Sequence, residues 1–231
     1  MLTAPEWQAV RLTLVVAVAA VAVSLPIAIG VGWLLAKREF PGKFLVETLV
    51  NLPLVLPPVV TGYLLLVVFG RNGVLGGFLE KWLGLRFVFD WKGAALAAAV
   101  VAFPLLVRPI RQSFAAIDER LIQAARTLGA GPFDAFASVT LPLARPGILG
   151  GALLGFARSM GEFGATIMIA GNIPGATRTI SLLVYSQLET PGGMRTSLRL
   201  VWVSIAIASL ALLAGEVLER RGRRRLTGAI G

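Results

Sequence analysis

Apolar stretches long enough to cross a bilayer recur along this chain, and they leave few folds open to it. A hydrocarbon core of about 30 Å needs roughly 20 apolar residues in a helix. Such segments are read at 7–36, 44–69, 91–110, 148–170 and 200–218. The third has a short apolar centre and depends on Trp91 and the segment through Ile110, with Lys92 and Arg108 snorkelling outward. The chain has 231 residues, of which 56% are hydrophobic and 15% charged, too little polar surface for a soluble domain of that length. The predicted fold is an all-α polytopic membrane protein of five transmembrane helices, with residues 1–231 as one transmembrane domain. The first stretch exceeds a signal-peptide core and has Glu6 and a single basic residue, Arg11, upstream. It is read as a retained helix.

Charge gives orientation. Lys and Arg number 22 against 12 Asp and Glu, and the excess sits between apolar spans. It is read as a topology signal and a contact with anionic lipid, not as a nucleic-acid surface. Lys37, Arg38 and Lys43 follow the first span. Arg108, Arg111, Arg120, Arg126 and Arg145 lie between the third and fourth, and Arg220, Arg221, Arg223, Arg224 and Arg225 follow the fifth. Fewer lie on the other side: Arg11, Arg71, Lys81, Arg86, Lys92, Arg178, Arg195 and Arg199. The positive-inside bias predicts a multi-pass protein with its N-terminus outside and its C-terminus in the cytoplasm. No inverted repeat or low-complexity linker is visible.

The chain has neither cysteine nor histidine, which removes disulfides, thiol and imidazole chemistry and zinc sites. It also lacks a Gly-rich loop ending in Gly-Lys-Ser/Thr, since Gly42-Lys43 is followed by Phe44 and has no upstream glycine. It is therefore expected not to be an enzyme and to bind no cofactor. Any ATP and magnesium belong to another chain, or an ion gradient supplies the energy.

Two loops are long. In the outer one, Leu75 to Leu83 reads as an amphipathic helix at the interface. The cytoplasmic loop, 111–146, reads as a helix N-capped by Asp118, a break at Gly129, Gly131 and Pro132, and a second helical piece ending at a Pro-marked entry to span four. On physics alone this is either an ordinary amphipathic loop or a docking element. Its sequence, Gln123-Ala124-Ala125, three residues, Gly129, nine residues, Val139-Thr140-Leu141-Pro142, resembles the signature loop of ABC importer permeases, Glu-Ala-Ala, three residues, Gly, nine residues, Ile-x-Leu-Pro. Gln123 and Val139 depart from that pattern, and the first departure removes a charge. The resemblance implies a type I importer permease whose coupling helix docks on an ATPase subunit through Gln123, Ala124, Ala125, Gly129, Leu141 and Pro142.

Span four carries Arg158-Ser159-Met160-Gly161-Glu162 and then Thr166, above a stripe of Gly147, Gly151 and Gly155. The charges, four apart, partly neutralise each other, and the glycines allow close helix packing. Two readings stay open: a pair that locks helices together, or a lining of the translocation path. Pro53, Pro57 and Pro58 should kink or unwind span two beside a cavity or against protein. The stretch Arg158–Thr179, with Gly171-Asn172-Ile173-Pro174-Gly175, is similar to the molybdate branch of the same permeases. So are Asn51–Tyr63, Pro5-Glu6-Trp7-Gln8 and Thr190-Pro191-Gly192-Gly193. This resemblance implies an importer of molybdate working as a homodimer with an ATPase dimer and a periplasmic molybdate-binding protein. The rivals are a sulfate or tungstate permease, an ATP-independent secondary anion transporter, and a membrane scaffold.

Overall fold

The computed structural model describes residues 2–190 and 193–227, without the side chains of 195, 196, 214 and 216–227. The backbone is helical, with no strand among the described residues. Thr190 and Gly193 are described, whereas Pro191 and Gly192 of that quartet lie outside the described residues, as do the side chains of Arg220–Arg225.

Helix α1, Ala4–Lys37, opens where the Glu6 carboxylate accepts from the Thr3 N–H at 2.6 Å. Helix α2, Lys43–Val55, and helix α3, Pro58–Phe69, meet at a 116° bend. The span read over 44–69 is thus unwound at Pro57 and Pro58, as expected of prolines there, into two helices, while Pro53 stays inside α2. Pro57 and Pro58 have no N–H to continue the ladder, and they hold the backbone of Leu56 and Pro57 extended (ψ 140° and 133°). Helix α4, Val74–Leu83, is the short helix expected in the loop after span two.

Helix α5, Trp91–Ala115, is capped by Asp90, whose Oδ1 accepts from the Lys92 N–H at 2.9 Å. At 25 residues it is longer than its apolar centre implied. It lies at the middle of the molecule. Its alanines at 94, 95, 97, 98 and 102 are buried, and their small side chains let neighbouring backbones approach. Helix α6, Glu119–Thr127, is followed by helix α7, Pro132–Ala135, a π turn at Phe136–Thr140, and helix α8, Leu141–Leu143. These run at 65° into helix α9, Arg145–Met160. Span four, read as one helix over 148–170, is broken at residues 161–163 and resumes as helix α10, Gly164–Ala170. Helix α11, Ile180–Leu188, precedes helix α12, Gly193–Thr227, which is longer than the span read at 200–218.

Contacts set the directions. Val16 and Ala20 of α1 pack with the alanines early in α5, and a Cβ on Gly32 would lie 2.8 Å from Ile110 Cγ2, so α1 and α5 run parallel. Leu200 of α12 joins Ala9 and Val10, while Gly215 sits on Leu153, so α12 runs with α1 and against α9. Arg111 pairs with Glu47 at 2.8 Å and Arg108 donates to Asn51 Oδ1 at 2.9 Å, so α2 opposes α5. The glycine stripe of α9 also faces α5. A Cβ on Gly151 would lie 2.7 Å from the Leu106 carbonyl oxygen, and Gly147 sits on Pro109 and Ser113. Among the described residues, α1 and α5 are long and apolar enough to cross a membrane, and α12 holds a shorter apolar run, Ser197–Leu213.

Candidate functional site

The breaks in spans two and four meet. Gly164 lies against the ring of Pro58, with a Cβ there placed 2.9 Å from Pro58 Cβ, and Gly62 lies on the backbone of Ala165. A side chain at either glycine would push α3 and α10 apart. The two interruptions therefore share one junction on the side of Gly62 and Gly164, while Pro57 and Pro58 keep an exposed face.

Glu162 stands at this junction. Its side chain is 2% exposed and holds two partners: Oε2 accepts from Arg158 Nη1 at 2.8 Å, and Oε1 accepts from the Ala165 N–H at 2.8 Å. The expected i,i+4 pair forms, but on different grounds. Helix α9 ends at Met160, so Glu162 is not on its face but in the gap, capping the next helix while it binds Arg158. Arg158 is 30% exposed on its side chain and is the outer member of the pair. Thr166 is 1% exposed and is packed in rather than facing open space. Phe163, in the same gap, packs on Tyr185 of α11 with ring centroids 5.2 Å apart. Sequence reading passed over this contact, since no local pattern joins residues so far apart.

The second site is the loop from α5 to α9. Asp118 Oδ1 accepts from the Arg120 N–H at 2.9 Å, the predicted N-cap of α6. Gln123 and Ala124 are exposed and Ala125 is half-buried. Gly129 has φ +95° with open space around it, so it is needed for its left-handed backbone and not to avoid a clash. Leu141 and Pro142 are half-buried at the return to the membrane domain. The loop is anchored to α1 and α5. Lys37 Nζ donates to the Ile117 carbonyl oxygen at 2.9 Å, and Phe136 packs between Trp33 (5.9 Å, edge-on) and Phe114 (6.3 Å). Leu128 and Phe133, flanking the Gly break, are 89% and 82% exposed. Sequence reading missed both, although two large apolar residues beside a Gly-x-Gly-Pro break were the available signal.

Two broken spans closed on each other, with a stiff helical loop projecting from the same bundle, define a transport-system membrane subunit of the importer permease class. The chain belongs to the family of binding-protein-dependent transport system inner membrane components, whose model matches residues 24–224. It is therefore a multi-pass inner-membrane protein that serves as a transport subunit. The molybdenum transport system permease protein ModB of Escherichia coli (strain K12) is 54% identical over 225 residues, 97% of this chain and 98% of that protein. ModB of Haemophilus influenzae is 53% identical over 221 residues, 96% of each chain. The sulfate transport system permease protein CysW of Synechococcus elongatus is 34% identical over 221 residues, 94% of this chain and 76% of that protein. The fold matches the MetNI methionine ABC transporter in inward-facing conformations, with TM-score 0.68, 18% identity and 94% of each chain covered. The type I ABC importer permease fold follows.

Proposed function

We propose that this chain is the membrane-spanning subunit of an ATP-driven importer that carries molybdate across the inner membrane by alternating access. The observation that carries the cargo is the 54% identity to a molybdenum permease along 97% of this chain, against 34% for a sulfate permease. Tungstate and sulfate remain rival cargoes of the same machine. The chain forms one transmembrane domain of five crossings: α1, α2 with α3, α5, α9 with α10, and α12. The alternating directions of these elements and the basic residues flanking them support this count, with the N-terminus periplasmic and the C-terminus cytoplasmic.

In this reading the chain itself hydrolyses nothing and holds no cofactor, and ATP with magnesium sits on a separate ATPase dimer. The helix around Gln123, Ala124 and Ala125, turned by Gly129, docks on one ATPase copy, with Leu128 and Phe133 as its apolar anchors. Lys37 and the aromatic packing around Phe136 pass the rigid-body motion to α1 and α5, and Leu141 and Pro142 pass it to α9. One loop per chain and two ATPase copies make a two-fold homodimer the simplest closed assembly. A periplasmic molybdate-binding protein delivers the anion to the outer mouth. The junction of Pro57, Pro58, Arg158, Glu162 and Thr166 is the part of the bundle that gates or lines the path, with Arg158 at its exposed edge.

Uptake of labelled molybdate, tungstate and sulfate by the complex reconstituted with its ATPase and binding protein is the decisive measurement. ATP-dependent accumulation of molybdate in preference to sulfate is expected. Accumulation without ATP, or of sulfate alone, would overturn the reading.

A further inference from the structure

The end of α1 and the coupling loop form a cleft of about 330 Å³, with Gln123 of the proposed docking helix in its lining. Three cations line it, Lys37, Arg38 and Arg126, with Glu119 as its lone carboxylate among the described residues. Glu119 is a weak counterion: its side chain is 70% exposed, and its carboxylate stands 3.7 Å from a Lys37 ammonium that is 12% exposed. Neighbouring acids are engaged elsewhere. Glu39 holds Lys43 at 2.6 Å, and Asp118 caps the Arg120 N–H. The Arg38 guanidinium lies over the Trp33 ring at 5.8 Å. Among the described residues no hydrogen bond or ion pair engages the Arg126 side chain. Gln123, neutral where the family pattern carries Glu, also lines the cleft and adds no negative charge.

A partly desolvated cation beside two arginines and one water-diluted carboxylate is a field that an anion relieves. Guanidinium forks match tetrahedral oxyanions in geometry. The apolar side of the cleft is aromatic, Trp33 and Phe136, as at a headgroup level. We propose that this cleft binds a phosphate-type oxyanion, carried by an anionic phospholipid of the adjoining leaflet or by a free tetrahedral anion. The lipid source rests on the membrane-spanning reading above; the free-anion source does not. Bound there, the anion bridges α6 to the end of α1 and stiffens the mount of the coupling loop.

The test uses the purified full chain in detergent, apart from uptake, so that its failure is separate from a failure of the transport reading. Native mass spectrometry compares retention of dioleoylphosphatidylglycerol and dioleoylphosphatidylcholine. Thermal unfolding is followed with inorganic phosphate against chloride at equal ionic strength. The lipid source predicts that phosphatidylglycerol is retained in preference, and that R38Q combined with R126Q lowers the retention about tenfold. R126K keeps part of it, and R71Q with K81Q, distant from the cleft, leaves it unchanged. The free-anion source predicts a saturable rise in melting temperature with phosphate that the R38Q/R126Q pair abolishes, without a lipid preference. The proposal is overturned if neither anion binds, or if R38Q/R126Q leaves both responses intact.

Discussion

Glu162 has two partners and Arg158 has one, and that asymmetry decides how each should respond to mutation. In Arg158→Gln a carboxylate at 2% exposure keeps only the Ala165 N–H, and breaking a buried pair this way costs about 3–5 kcal/mol. In Glu162→Gln the amide oxygen still accepts from Ala165, and Arg158, already 30% exposed, can turn to water. The second variant should therefore melt closer to the parent than the first. Equal losses would mean that the cap at Ala165 is immaterial. A double-mutant cycle on stability and uptake separates the two roles. If the double neutral variant folds and transports fully, the pair is a helix lock and no charge is needed in the path. Gly129 makes a second residue-scale test. At φ +95°, Val is strained by about 1–3 kcal/mol where Asn is tolerated. Gly129→Val should insert normally and lose ATPase docking or coupled uptake, while Gly129→Asn should retain most of both. Normal uptake by the Val variant would count against the docking role.

At the scale of elements, α9 is held to α5 by contact of backbone with backbone at Gly151, whereas Gly150 next to it has open space around its Cβ position. Gly151→Leu should lower the melting temperature in detergent, an overpacking cost of about 1–3 kcal/mol or more, and Gly150→Leu should not. Matching losses in both would mean that the stripe does not set the interface. The coupling loop is tested in the same paired way. Leu128→Asp or Phe133→Asp removes an exposed apolar anchor without touching the core, so the permease alone should keep its stability within about 0.5 kcal/mol. Co-purification with the ATPase should be lost. Retention of the ATPase would shift the docking surface to another face.

At the scale of the whole molecule, the parallel course of α1, α5 and α12 and the opposed course of α2 and α9 put Lys37 and the coupling loop at one end. The loop holding Arg178 lies at the other. Arg178 donates to Asn172 Oδ1 at 2.8 Å, Asn172 donates to Ser186, and Ile180 donates its N–H to Thr13 near the start of α1. Single cysteines at positions 178 and 126 should then be labelled from opposite faces of the membrane, 178 from outside. Labelling in the reverse sense would invert the topology while leaving the fold intact. A mass for the assembled complex showing one permease per ATPase pair would remove the homodimer.

The sequence by itself determined the class. Apolar length, the absence of cysteine and histidine, the basic flanks and the spacing from Gln123 to Pro142 are one-dimensional quantities, and helices in a bilayer obey them because each must satisfy its own backbone bonds. Local chemistry was legible too: Asp118 as a cap, Gly129 as a break in the coupling loop, Pro57 and Pro58 as a break in span two. Only tertiary structure decided that this break faces the one at residues 161–163, that the glycine stripe seats on Leu106 and Pro109, and that Leu128 and Phe133 stand exposed while Thr166 is enclosed. Those facts depend on contacts between distant residues and on which face a neighbour covers. Glu162 shows the difference. Spacing gave its partner, but the end of α9 at Met160, two residues before Glu162, left its carboxylate to accept from the first turn of a second helix.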